Sequence, residues 1–184
     1  GNISVRHNNG FLITPSGKKY SSLKVKDIVF VSLDGKYEKK YKPSSEWRFH
    51  QDIYIKKKDA QAIVHTHSTN ATALSVHKKP IPAFHYMVAL AGGNDIKCAK
   101  YATYGTRELS KNILKALNNR KACLIANHGQ IAFDKNLPDA FELAQEVENL
   151  SLQYITALKL GKPKILSINE MNKVLKKAKN YKRG

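Results

Sequence analysis

Cysteine is almost missing from this chain: its 184 residues carry two, Cys98 and Cys123. So few thiols build no disulfide framework, which excludes a stapled secreted scaffold and suits a reducing, cytoplasmic setting. Long apolar runs are missing too. None approaches the roughly 20 residues of a membrane-spanning helix, so no membrane partner is expected. The opening residues, Gly1-Asn2-Ile3-Ser4, hold neither a basic stretch nor an apolar core, and no secretory leader is read there. Negative charge is scarce: 14 Asp plus Glu stand against 32 Lys plus Arg, a formal net charge of +18 with a pI near 9.9. Within that excess arginine is scarce, five against 27 lysines. Base readout and bidentate phosphate grips favour arginine. The scattered lysines therefore read first as a solvated surface, next as an attraction for a small phosphorylated substrate, and only last as a nucleic-acid footprint.

What is present is the composition of a folded domain: 42% hydrophobic, 25% charged and 9% aromatic residues. That excludes a disordered or fibrous chain. The length fits one domain, residues 1–184, able to bury about 70% of its unfolded surface without metal or disulfide. Strands are expected at residues 11–14, 27–33, 62–67 and 122–126, with 130–133 continuing the sheet. Helices are expected at 46–55, 106–118 and 138–160. The last of these opens on Pro138 and stops at Gly161-Lys162-Pro163. A final helix follows a capping box of Ser167 and Glu170. Tight turns between the early strands point to an α/β domain with a largely antiparallel central sheet flanked by helices.

Chemistry concentrates in histidines at strand ends. His65-Thr66-His67 closes an apolar strand, and residues two apart in a strand face the same side. His128, in Asn127-His128-Gly129, follows a second buried strand, and Gly129 is expected to turn the backbone away from it. Glu46 opens a helix behind two serines. Three imidazoles and a carboxylate make a plausible shell for Zn²⁺, and the absence of thiolates from it favours a catalytic over a structural site. A second set suits an anion. Gly1-Asn2-Ile3-Ser4, Thr14-Pro15-Ser16-Gly17 and Pro43-Ser44-Ser45-Glu46 place small hydroxyl and amide side chains on turns, and the paired serines stand at a helix N-terminus.

The strings GNIS, ITPSG, PSSEWRFH, VHTHS, IPAFHYM, AGGN, YATYGTREL and NHG occur in that order over nearly the whole chain. In them the sequence resembles the class II, zinc-dependent sugar-phosphate aldolases, and most closely their fuculose-phosphate branch. The resemblance implies one Zn²⁺ per subunit, held by His65, His67, His128 and Glu46. It implies that Glu46 also transfers the proton once substrate displaces it. Asn2, Ser16, Gly17, Ser44 and Ser45 would hold the substrate phosphate, with Gly1 adjoining. Tyr86 matches a catalytic tyrosine that reaches the neighbouring subunit's site, and Tyr181 a tail tyrosine that closes the site. Tyr104 falls where close relatives carry a phenylalanine lining the aldehyde pocket, which leaves aldehyde preference open. The implied reaction is reversible cleavage of L-fuculose 1-phosphate to dihydroxyacetone phosphate and L-lactaldehyde. The implied assembly is a homotetramer with sites at subunit interfaces. Family members carry a helix ahead of Gly1, so an incomplete or impaired enzyme, its phosphate loop frayed at the free end, is expected here.

Three competing readings are separable. Pentulose-phosphate 4-epimerases of the same fold carry Asp where Glu46 stands, whereas a thiosugar-phosphate dehydratase remains compatible with Glu46. A non-catalytic head domain of this fold would lack the metal ligands. A basic nucleic-acid binder would have no use for them.

Overall fold

The computed structural model describes the backbone of residues 1–181 and the side chains through residue 178. Strand β1 (Asn2–His7) turns at Asn8–Asn9 into β2 (Gly10–Ile13), and β3 (Val29–Ser32) pairs on β2. Next come α1 (Trp47–Lys56), β4 (Ala62–Thr66) and α2 (Thr69–Ser75). A short stretch holds β5 (Ile81–Pro82), a 3-10 turn at Tyr86–Ala91, β6 (Asp95–Ile96) and β7 (Cys98–Ala99). The chain then runs through α3 (Arg107–Ala116), β8 (Ala122–Ile125), β9 (Gly129–Asp134), α4 (Leu137–Lys159) and α5 (Ile168–Tyr181).

Seven strands form one sheet in the order β3-β2-β1-β4-β9-β8-β7. Every neighbouring pair is antiparallel except β7 with β8. Helices cover both faces, as expected for an α/β domain. Strand alternation divides the apolar residues between two cores. Ile63, Ile125, Ile131 and Phe133 meet α1 and α3 through Phe49, Ile53, Leu109 and Ile113. Ala62, Val64, Leu124 and Ala132 meet α2 and α4 through Ala71, Leu74, Leu143 and Val147. Because β4 is covered on both sides, Ala62 to His65 are all buried, and it reads as a continuous apolar run.

Some sequence expectations of the fold are corrected by the structure. The stretch 27–33 is strand only over Val29–Ser32, because Asp27 closes a 3-10 turn by accepting from Lys24 N at 2.9 Å. α2 was not anticipated. GNIS, expected as a turn, is instead the start of an interior strand: Asn2 lies directly opposite His65 in the β1–β4 ladder.

Candidate metal centre

β4 delivers His65 and then His67 onto the α1 side of the sheet, where the ring of Phe49 meets His65 edge-on at 5.4 Å. Glu46 is the N-cap of α1, and its side chain makes no capping bond. The carboxylate instead turns into the sheet. His128 sits in the β8–β9 turn, where its N–H donates to Ile125 O at 3.1 Å while Asn127 N donates to Ser75 O at 3.3 Å. The left-handed residue of that turn is Asn127, with φ 54°, rather than Gly129. Gly129 is needed for a different reason. A Cβ there would stand 2.3 Å from the carbonyl oxygen of Thr66 and 3.2 Å from the His67 ring, so a side chain would push His67 and its strand away.

The structure thus brings Glu46, His65, His67 and His128 together, with one ligand atom from each inside 4.8 Å of the others. The donor set fits a divalent cation. His65 Nδ1 donates to the carbonyl of Gln130 at 2.7 Å, so its Nε2 presents a lone pair. Glu46 Oε2 lies 3.2 Å from that nitrogen and His67 Nε2 3.1 Å from it. Glu46 Oε1 lies 3.2 Å from His128 Nε2, yet it is buried without a hydrogen bond. Lone pairs converging in a buried space call for positive charge at their centre. Burial alone would raise the Glu46 carboxyl pKa, but the facing imidazoles of His128 and His65 outweigh it and hold the group well below the carboxylate range. Burial, then the neighbouring His65, lowers His67 to about 4. Both groups are therefore held in ligand-competent forms near neutrality. His67 is the exposed member, so the cluster opens to solvent on its side.

A polar cleft of about 210 Å³ adjoins the cluster. Two turns build it, cross-tied by Ser44 N donating to Thr14 O at 3.1 Å and Ser16 N to Lys42 O at 3.0 Å. Gly1, Asn2, Ser16, Gly17, Ser44 and Ser45 all line it, and so do Lys18 and Glu46. The loop holding Tyr104 passes beside Ser45: Gly105 has φ +74°, and a Cβ on it would stand 2.8 Å from Ser45 O. Tyr104 itself is exposed. Tyr86 lines a separate apolar groove against α5, outside the cleft and the cluster of its own chain. The Tyr181 side chain lies outside the described residues; its backbone ends α5. Sequence reading missed Lys18, whose only signal was charge next to ITPSG. It also missed the inward placement of Ser4, His50 and Tyr54.

A candidate metal site of three imidazoles and a carboxylate in this α/β fold suits an enzyme rather than a passive basic domain. The chain belongs to the class II aldolase family: the Class II Aldolase and Adducin N-terminal domain profile matches residues 1–155. It is 52% identical over 181 residues to the 5-methylthioribulose-1-phosphate/5-deoxyribulose-1-phosphate aldolase of Rhodospirillum rubrum, covering 98% of this chain and 82% of that protein. It is 51% identical over 182 residues to the L-fuculose phosphate aldolase of Escherichia coli O6:H1, covering 98% and 85%. A solved L-fuculose 1-phosphate aldolase superposes with a TM-score of 0.93 at 42% identity, over 97% of this chain and 85% of that one. The protein is thus a lyase of the sugar-phosphate aldolase type with a candidate catalytic metal site. Among the described residues, no helix is long and apolar enough to cross a membrane.

Proposed function

We propose that this aldolase reversibly cleaves L-fuculose 1-phosphate to dihydroxyacetone phosphate and L-lactaldehyde, with one Zn²⁺ per subunit in a homotetramer. One observation carries the reading. Glu46 belongs to the metal cluster and also to the wall of the hydroxyl-rich cleft. A phosphate held in that cleft would bring the carbons of a three-carbon ketone within reach of Glu46.

Glu46, His65, His67 and His128 would hold the ion, which when bound supplies Lewis acidity at the substrate's carbonyl and hydroxyl oxygens. Asn2, Ser16, Gly17, Ser44 and Ser45, with Gly1 adjoining, bind the phosphate at the N-terminus of α1, where free N–H groups and the helix dipole favour an anion. That grip is remote from the breaking bond and orients the reacting carbon. Glu46 moves the proton at the carbon beside the carbonyl. Tyr86, supplied to a neighbouring subunit's site, moves the proton at the aldehyde oxygen. In cleavage the carbon–carbon electron pair stays on the dihydroxyacetone phosphate carbon, which then receives its proton from Glu46. Tyr181 helps close the site, and Tyr104 shapes the aldehyde end.

A second substrate, a 5-deoxypentulose 1-phosphate, is favoured by the 52% identity to the Rhodospirillum rubrum enzyme. Both sugars share the phosphate and the first carbons and differ at the aldehyde end. Release of dihydroxyacetone phosphate from L-fuculose 1-phosphate, 5-deoxyribulose 1-phosphate and L-rhamnulose 1-phosphate decides between them. The expected result is the highest kcat/KM on L-fuculose 1-phosphate, abolished by a chelator and restored by Zn²⁺. A higher value on the deoxypentulose favours the second reading, and no release from any of the three overturns both.

A further inference from the structure

We propose that His50 is a positioning residue for the metal centre, acting through Asn2 on the carboxylate of Glu46. This rests on the metal-dependent reading above. Four side chains form one buried hydrogen-bonded chain ending at a metal ligand. Tyr54 Oη lies 2.8 Å from Ser4 Oγ, and Ser4 Oγ lies 2.7 Å from His50 Nδ1. His50 Nε2 lies 2.6 Å from Asn2 Oδ1, and Asn2 Nδ2 lies 2.9 Å from Glu46 Oε2. Asn2 and Ser4 are inward residues of β1, while His50 and Tyr54 stand one turn apart on α1.

The direction of every bond in the chain is fixed by chemistry. A carboxylate only accepts, so Asn2 must turn Nδ2 toward Glu46. Its amide oxygen then faces His50, and it too only accepts. His50 Nε2 must therefore carry the hydrogen. The ring is fully buried and stacked between Phe11 at 6.5 Å and Phe49 at 4.8 Å, and among the described residues no carboxylate is bonded to it, so it is neutral and its Nδ1 is a lone pair. Ser4 spends its hydrogen on that lone pair, and Tyr54 donates to Ser4. With the amide pinned at its oxygen, Asn2 cannot rotate away from Glu46. Asn2 also lines the anion cleft, so one oriented amide borders both the base and the phosphate cradle.

A run of buried polar groups is costly unless every member is paired, and apolar residues would fill the same face of β1 as well. A purely structural role gives no reason for the chain to end on Glu46. Support of a metal ligand by its hydrogen-bonded neighbours typically changes metal affinity by about 10- to 100-fold.

The test is a Co²⁺ titration of metal-free protein, followed by visible absorption, for wild type, His50→Leu, Asn2→Ala, their double variant and Ser4→Ala. Thermal unfolding is recorded for each. The expected result is about 10-fold weaker Co²⁺ binding in each single variant, with the double variant no weaker than Asn2→Ala alone. Ser4→Ala keeps the His50 ring and its packing, so it decides the matter if His50→Leu fails to fold. Wild-type Co²⁺ affinity in Ser4→Ala and in folded His50→Leu, with only the melting temperature lowered, would reduce the chain to a structural role. Independent, multiplying losses in the double variant would also overturn the route through Asn2. Failure of the wild type itself to bind Co²⁺ rejects the metal centre, a distinct outcome.

Discussion

The proposed mechanism gives Glu46 two jobs, and its two oxygens stand in different surroundings. Oε2 is held by the Asn2 amide, while Oε1 faces His128 with no hydrogen bond of its own. Glu46→Gln keeps the shape of the side chain and removes its capacity to carry a proton. General-base contributions run to about 10²–10⁴ in rate, so turnover is expected to fall by at least about 100-fold. The three imidazoles should still retain the ion. Dihydroxyacetone phosphate release and metal content, measured on one preparation, check this; near-normal turnover with bound metal would leave Glu46 a ligand only. The four clustered side chains were legible in the sequence because each sits where an apolar strand or a helix visibly begins or ends. The chain behind them was not. Ser4 is 46 residues from His50 and 50 from Tyr54, and no local pattern announces a bond across that distance.

Strand β1 shows why an element can hide while its neighbours stand out. β4, β8 and β9 read as apolar runs because they are buried on both faces. In β1 the most buried positions are Asn2 and Ser4, so its polar alternation resembles a turn. The polarity of this interior strand is the chain to Glu46. Two glycines link elements to the site in separable ways. Gly129→Ala would drive a Cβ against Thr66 O, which is backbone and cannot rotate aside. The expected cost is about 1–3 kcal/mol of stability, together with weaker metal binding as His67 shifts. Gly105→Ala meets Ser45 O and a positive φ. It should raise KM for the phosphorylated substrate by about 10-fold, since small displacements of a positioning group are expensive, and leave metal content unchanged. Thermal melts, metal analysis and KM on both variants check the pair; identical profiles would mean that the cleft and the cluster are not separately supported.

At the scale of the whole molecule, the class of fold was legible from alternating strands and helices. The single parallel pair, β7 with β8, was not, because β7 is a two-residue strand with no periodicity to read. Global stability in turn records what the buried groups do. Burial, helped by the nearby His65 and opposed by Glu46, lowers His50 to about 3. In the unfolded chain a histidine titrates near ~6.5. Between those values the unfolded state binds a proton that the native state refuses, so stability is full above the unfolded pKa and declines as pH falls toward the native one. From pH ~6.5 to ~5.5 this one group should remove about 1 kcal/mol, approaching about 1.4 kcal/mol per unit below that. His67, lowered to about 4, and Glu46 titrate in the same cluster, so the observable is a difference between proteins. Urea unfolding of metal-free wild type and His50→Gln at a series of pH values isolates it. The variant starts less stable, because its hydrogen bonds to Ser4 and Asn2 are poorer, but its stability should decline less steeply on acidification, by up to one proton's worth. Parallel pH profiles for the two proteins would show that His50 takes up its proton in the folded state, which would turn its Nδ1 into a donor to Ser4 and leave the bonds to Asn2 and Glu46 as drawn.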